Sequence, residues 1–344
     1  MESVKIVCKI SLVATLILCS GLIVFGQEHF SGRQDSIGTG KKITFQKLKL
    51  YFDDDYLNFA ARGTDQYYTA GWQADIYYKR NTHSRSFFDR LLLGLPNSTN
   101  VYFYGMFRRI YTPADILHSQ VIYGDRPYSS VLTLQHGLTS TNDKTNESLS
   151  TEIGLGAIGP ITYGSDIQNQ IHILIGSQKA MGWGNQIRNN VVLDYKLNYE
   201  RQILKPSGNL KILANIDCEV GTLVDNAGVG FTLAFGRFKQ PDLIENSGAL
   251  HNSGSHKKIL IHCFMHPTIR AVMYNATLEG GLFSKFDPYA IDRADMNTIY
   301  LQYDIGFVMQ AGKVGISIAE KLRTAEFVTG HIQEVGNVTF YIPF

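Results

Sequence analysis

Three observations predict an all-β chain closed into a transmembrane outer-membrane barrel of about twelve antiparallel strands, with a short helix in one outward loop. Apolar and polar residues alternate with a period of two over unusually long stretches. Beyond residue 25 no apolar run is long enough for a spanning helix. The alternation Val338, Phe340, Ile342 runs on to a C-terminal Phe344. Composition agrees: charged residues are 18% of the chain, below the roughly 25% of soluble domains. There are 32 glycines, with 19 tyrosines and 19 phenylalanines, as suits a membrane barrel.

The first residues carry a secretion signal. Lys5 and Lys9 precede the apolar run Ile10 to Phe25, and compact residues at Val24-Phe25-Gly26 place cleavage before Gln27. Residues 1–26 are thus expected to leave as a signal peptide, with 27–344 forming one barrel domain. Cys19 offers a lipoprotein reading, against which the bulky Leu18 stands. Loss of the leader leaves Cys218 and Cys263, which allow at most one bridge and have no metal-ligand neighbour at CxxC spacing. A formal charge of +2 gives no footprint for nucleic acid, and no such partner is expected.

The strands follow in order: 44–52, 69–79, 101–108, 129–138, 148–157, 191–203, 209–223, 227–237, 264–282, 297–311, 313–327 and 335–344. The clearest are Leu210 to Val220, Val191 to Tyr199 and Ile299 to Phe307, where apolar residues recur at every second position. A tilted bilayer-crossing strand needs about 9–11 residues, which these runs supply. The ninth segment is blurred. A soluble sandwich also alternates, but the tyrosine clusters at strand ends (Tyr67-Tyr68, Tyr77-Tyr78) suit membrane interfaces. An even count puts both termini in the periplasm. The outward connections are then 53–68, 109–128 and 158–190, while Lys205-Pro206-Ser207-Gly208 and Ala311-Gly312-Lys313 turn inward.

Chemistry-bearing residues concentrate in those three outward loops. Asp53-Asp54-Asp55 ends the first strand and Thr64-Asp65-Gln66-Tyr67-Tyr68-Thr69 opens the second. Tyr111-Thr112-Pro113 and Gly124-Asp125-Arg126-Pro127-Tyr128 follow, then Gly159-Pro160, Gln168 to His172, and Gly182-Trp183-Gly184-Asn185-Gln186. Ser165 with Gln168 reads as a capping box, starting a helix near Asp166. On it Gln168 and His172, four apart, share a face. A His beside a carboxylate-bound cation points to ester hydrolysis: the imidazole takes a proton from water and the cation polarises the carbonyl. Oxygen ligands such as Asp54 favour calcium over zinc. The plainer readings stand beside these: an aspartate triplet is a solvated loop, His172 a packing residue, Asp125-Arg126 a lumen ion pair, and Trp183 an anchor at the headgroups.

Taken in order, these motifs resemble the LpxR family of outer-membrane lipid A 3′-O-deacylases, over residues 48–190. The resemblance implies a twelve-stranded barrel with its site between the wall and a loop helix, and a mechanism like that of phospholipase A2. By position it implies His172 as the general base and Asp54 as ligand to a Ca2+ that stabilises the oxyanion. Asp53, Thr69 and Gln168 would complete the polar site. The implied substrate is lipid A, or lipopolysaccharide, held among outer-membrane lipids and attacked at its 3′ acyl ester. The terminal Phe344 resembles the signature of barrels handled by the barrel assembly machinery. Two departures stand out: the family commonly has Asn where Asp53 stands, and its lysine after Tyr-x-Pro is replaced by His118, with Arg108 and Arg109 preceding the motif.

Two other readings compete. A serine hydrolase barrel would need a serine positioned by His172, and none adjoins it in the motif. A small porin or binding barrel would use the helical loop as a plug.

Overall fold

The computed structural model describes residues 43–58, 66–80, 86–237, 259–284, 287–312 and 314–344. The expected leader, 1–26, lies outside them. Twelve antiparallel strands close in the order β1-β12-β11-β10-β9-β8-β7-β6-β5-β4-β3-β2. They are β1 Ile43–Asp54, β2 Tyr67–Arg80, β3 Thr99–Thr112, β4 Ser129–Asn142, β5 Glu147–Ile158 and β6 Asn190–Ser207. The circle continues with β7 Leu210–Gly221, β8 Val224–Gly236, β9 Ile259–Asn275, β10 Ile299–Ala311, β11 Val314–Arg323 and β12 Gln333–Pro343. Each strand pairs on both sides, and β1 closes on β12 through Lys47↔Pro343 to Asp54↔Gly336. No edge is left to carry unsatisfied backbone into hydrocarbon. No helix among the described residues is long and apolar enough to cross a membrane.

The period of two assigns the faces. On β10, Ile299, Leu301, Tyr303, Ile305, Phe307 and Met309 are exposed on the wall, while Tyr300 and Asp304 are buried in the lumen. That lumen encloses a cavity of about 360 Å³, lined by both signs of charge: Asp53, Arg109, Glu152, Lys196, Asp217 and Arg323 among others.

Several strand ends differ from the sequence reading. The ninth strand, expected at 264–282, is Ile259–Asn275. Its end is set by Asn275, whose side chain accepts from Thr277 N and caps a short helix, Ala276–Glu279. Ala276 and Leu278 are apolar because they are buried in loop packing, and so they counterfeit a longer strand. The eleventh, expected to reach 327, stops at Arg323 because Glu326 and Phe327 turn inward to pack. Cys218 and Cys263 are both free: one pairs across β6 and β8, the other across β8 and β10.

One end of the barrel carries tight turns at 143–146 and 208–209. The other carries the connections that follow β3, β5, β9 and β11. There Tyr67, Leu278, Ile291, Met296 and Phe327 form one buried cluster. Tyr67 opens β2 and Leu278 follows β9, five strands away round the circle, so the cluster spans the mouth. Beneath it Arg126 is paired with Glu326, and its guanidinium lies 4.6 Å over the Tyr111 ring. Gln333 donates to Glu326 at 2.6 Å and Arg323 at 3.2 Å. Burial alone would raise the Glu326 pKa, but the Arg126 and Arg323 guanidiniums outweigh it and bring it down to about 2. The expected Asp125–Arg126 ion pair is therefore replaced by a partner 200 residues on, while the Asp125 carboxylate accepts from Ala114 N and Arg126 N at 2.8 Å each.

Candidate functional site

The connection from β5 to β6 folds back over the outer wall. After a 3-10 turn at Pro160–Thr162, a helix runs over Gly164–Ile175. Ser165 does not cap it. The helix begins after Tyr163, in the left-handed region, with no side-chain cap, and Gln168 bonds elsewhere. Contact with β4 sets the start instead: a Cβ on Gly164 would lie 2.2 Å from Ser130 Cβ and 3.1 Å from the Trp183 ring. The far end is a Schellman turn at Gly176 (φ 70), with Ser177 N donating to His172 O at 2.8 Å.

This helix is turned inside out relative to one on a soluble domain. Its buried positions are Gly164, Gln168 and His172, one polar stripe at four-residue spacing. Ile171, Ile173 and Leu174 are exposed on the other side. The helix thus shows its apolar side to the surroundings and holds two polar side chains against the wall.

The wall beneath belongs to β1–β4. Arg108 leaves the outer face of β3 and donates from Nη1 to Thr162 O at 2.7 Å and Ser130 Oγ at 3.3 Å. Arg109, next along, faces the lumen cavity. Thr69 sits at a bulge in β2, between Tyr68 and Ala70, and its hydroxyl lies 2.8 Å from that of Thr112. Asp54 pairs with Ala70, beside Thr69. Trp183 is buried on Tyr128 with ring centroids 4.9 Å apart, among Ile110, Ile116, Ile167 and Ala180. His118 is exposed and pairs with Asp115 at 3.3 Å.

Two contacts fix the buried stripe. Nδ1 of His172 meets the carbonyl of Gln178. A carbonyl only accepts, so Nδ1 carries the proton and Nε2 is the basic nitrogen. Trp183 Nε1 donates to Gln168 Oε1 at 2.8 Å.

Asp53 is not brought to this place. It lines the lumen cavity, accepting from Tyr51 Oη at 2.5 Å, Tyr68 Oη at 3.0 Å and Asn337 Nδ2 at 2.9 Å. Neighbours on a strand point to opposite faces, which puts Asp54 on the wall with Thr69. Gln168, His172, Thr69 and Asp54 thus belong to the outer side, and Asp53 to the inner. Sequence reasoning missed Trp183 as a partner of Gln168, although the Gly-Trp-x-x-Gln motif was visible. It also missed Thr112 and the Arg108 tie to Thr162.

No group of three or more His, Cys, Asp or Glu that could hold a metal ion exists among the described residues. Among the described residues the wall offers the Asp54 carboxylate near Thr69, whose hydroxyl meets that of Thr112, a donor set made of oxygen. That set fits calcium, which completes its shell with carbonyls and waters, and suits zinc poorly.

A family model described as outer membrane protein LpxR matches residues 12–344. The chain belongs to the LpxR family. Among solved structures, LpxR from Salmonella typhimurium is similar with a TM-score of 0.68 at 22% identity, covering 87% of this chain and 100% of that one. At that identity the likeness shows the shared barrel. The β domain of the Bordetella autotransporter BrkA matches with a TM-score of 0.41 at 10% identity, over 87% of this chain and 99% of its own. The translocator domain of NalP from Neisseria meningitidis gives 0.41 and 10% over 98% and 99%. No curated protein matches the sequence significantly. As an LpxR-family protein the chain is an outer-membrane barrel, and its helical connection lies on the wall of that barrel.

Proposed function

We propose that this LpxR-family barrel is a lipid A deacylase that hydrolyses the 3′-linked acyl ester of lipid A. The observation that carries the reading is the buried Gln168–His172 stripe, facing the wall from a helix whose exposed side is apolar. A site on the outer wall meets a lipid substrate sideways, with the ester beside the helix and acyl chains in the bilayer.

His172 Nε2 takes a proton from water, and the hydroxide adds to the ester carbonyl. The same proton then passes from His172 to the departing sugar oxygen, releasing fatty acid and leaving a free hydroxyl. The carbonyl of Gln178 holds the ring in the tautomer this requires. Asp54, beside Thr69, would hold calcium, whose charge when bound polarises the ester carbonyl. Asp53 stays behind the strand as part of the lumen network. With both termini in the periplasm, the end that carries the Gln168–His172 helix faces outward, so the site meets the leaflet in which lipid A resides; residues 1–26 leave as signal peptide and 27–344 form the single barrel domain.

Mass spectrometry of lipid A from cells with and without the protein tests this reading. Loss of the mass of the 3′ acyloxyacyl group, only with the protein present, is expected. Unchanged lipid A with cleaved phospholipid would make it a different lipid esterase. Channel conductance without acyl release would make it a porin, against which the cluster across the mouth argues.

A further inference from the structure

The amide of Gln168 has only one orientation available. An indole N–H donates and cannot accept, so Trp183 Nε1 at 2.8 Å selects the oxygen of the amide. Turned about, the amide would set its NH2 against the indole N–H. Nε2 is thereby held on the opposite side, where it is buried and has no hydrogen-bond partner among the described residues. Folded proteins pair nearly all buried amide donors, and one left over beside a basic imidazole is free to take an acceptor from a bound molecule. Nε2 belongs to the helix face that also carries His172, one turn on.

Trp183 is itself fixed. Its ring rests on Tyr128, its carbonyl accepts from Gln186 Nε2 at 3.0 Å, and Met181 N ties the loop to Ile116 O at 2.8 Å. The indole serves as a rigid post in the loop, and Gln168 is the adjustable group.

We infer that Trp183 is a positioning residue that locks Gln168 with its Nε2 presented as a hydrogen-bond donor to the carbonyl oxygen of a bound ester. The donor is set before the ligand arrives, so no rotation is needed as charge develops on that oxygen. Only the activity arm of the test rests on the deacylase reading.

Trp183→Phe keeps a ring against Tyr128 and removes the N–H. Acyl release from lipid A micelles, per folded heat-modifiable barrel, is expected to fall about fivefold, the value of one neutral hydrogen bond. The fall should lie in kcat, with KM nearly constant. In a Gln168→Ala background the same substitution should cost nothing further. An equal loss in both backgrounds, or none in the first, overturns the inference and leaves Trp183 a packing residue. A second arm needs no catalysis. The chain has two tryptophans, so the Trp183 indole proton is readily told from that of Trp72 by NMR. Gln168→Ala should shift that signal and speed its solvent exchange. An unchanged signal overturns the lock whether or not the barrel cleaves lipid A. A responsive indole in a barrel that releases no acyl chain supports the lock and sinks the deacylase reading alone.

Discussion

The ion pair under the mouth sets the first prediction. Glu326→Gln keeps the shape of the side chain and removes its charge. Arg126, whose side chain is 0% exposed, is then left without that anion. The Glu326 carboxylate is held at about 2 against its ordinary 4.5. At about 1.4 kcal/mol per pH unit the depression is worth roughly 3 kcal/mol. That agrees with the roughly 3–5 kcal/mol lost when one partner of a buried pair is removed. A loss of about 3 kcal/mol increases local opening on the order of 10²-fold. Hydrogen exchange followed by mass spectrometry on segments 113–128 and 324–332 reads it directly. Because the folded pKa is depressed, the stabilisation is full above 4.5 and fades as pH falls from there towards about 2. Wild-type protection, corrected for intrinsic exchange, should decline in that window, and that of Glu326→Gln should not. Arg126 lies two residues before Tyr128, on which Trp183 rests, so the opening should also loosen the Gly164–Ile175 helix. Wild-type protection of both segments in the variant would refute the reasoning.

Gly164→Ala would press a methyl against Ser130 Cβ, 2.2 Å away. Overpacking of roughly 1–3 kcal/mol should push the helix off the wall, cutting acyl release by about 10-fold or more while heat-modifiable migration persists. Adding Ser130→Gly should restore it; a fully active Gly164→Ala variant would show that the close approach is dispensable. Asp54→Asn should raise the calcium needed for activity or abolish activity, and chelator should silence the wild type with rescue by calcium but not magnesium; full turnover in chelator contradicts this. Asp53→Asn should keep acyl release within about twofold and cost about 1 kcal/mol of stability, because its amide oxygen still accepts from Asn337 but its NH2 cannot accept from Tyr51 and Tyr68 as the second carboxylate oxygen does. A loss as large as that of Asp54→Asn would place Asp53 in the site.

The barrel was legible because lipid and lumen impose a period of two on the strands, and β7 and β10 carry an apolar residue at every second position over most of their length. It blurred where loop residues are buried for a different reason: Ala276 and Leu278 pack into the mouth and prolong the pattern of β9. The helix was legible as the stretch carrying Gln168 and His172, but its start was not, because Gly164 is fixed by Ser130 across the wall. Asp53 and Asp54 could have been separated from sequence by alternation alone; grouping them followed the motif and ignored the pleat. The Arg126–Glu326 pair and the Trp183–Gln168 bond were invisible, since no local rule links residues that meet only when loops cross.

The central claim is that His172 acts as the base on the wall of the barrel. His172→Gln keeps a polar side chain of similar reach but cannot take a proton near neutral pH. Acyl release per folded, membrane-inserted barrel should fall by at least about 10²-fold, within the range of a positioned general base. Heat-modifiable migration and the amount of folded protein should stay as in the wild type. Normal turnover in the variant would contradict the account, and so would a loss that merely follows the amount of folded barrel, since His172 would then be a packing residue.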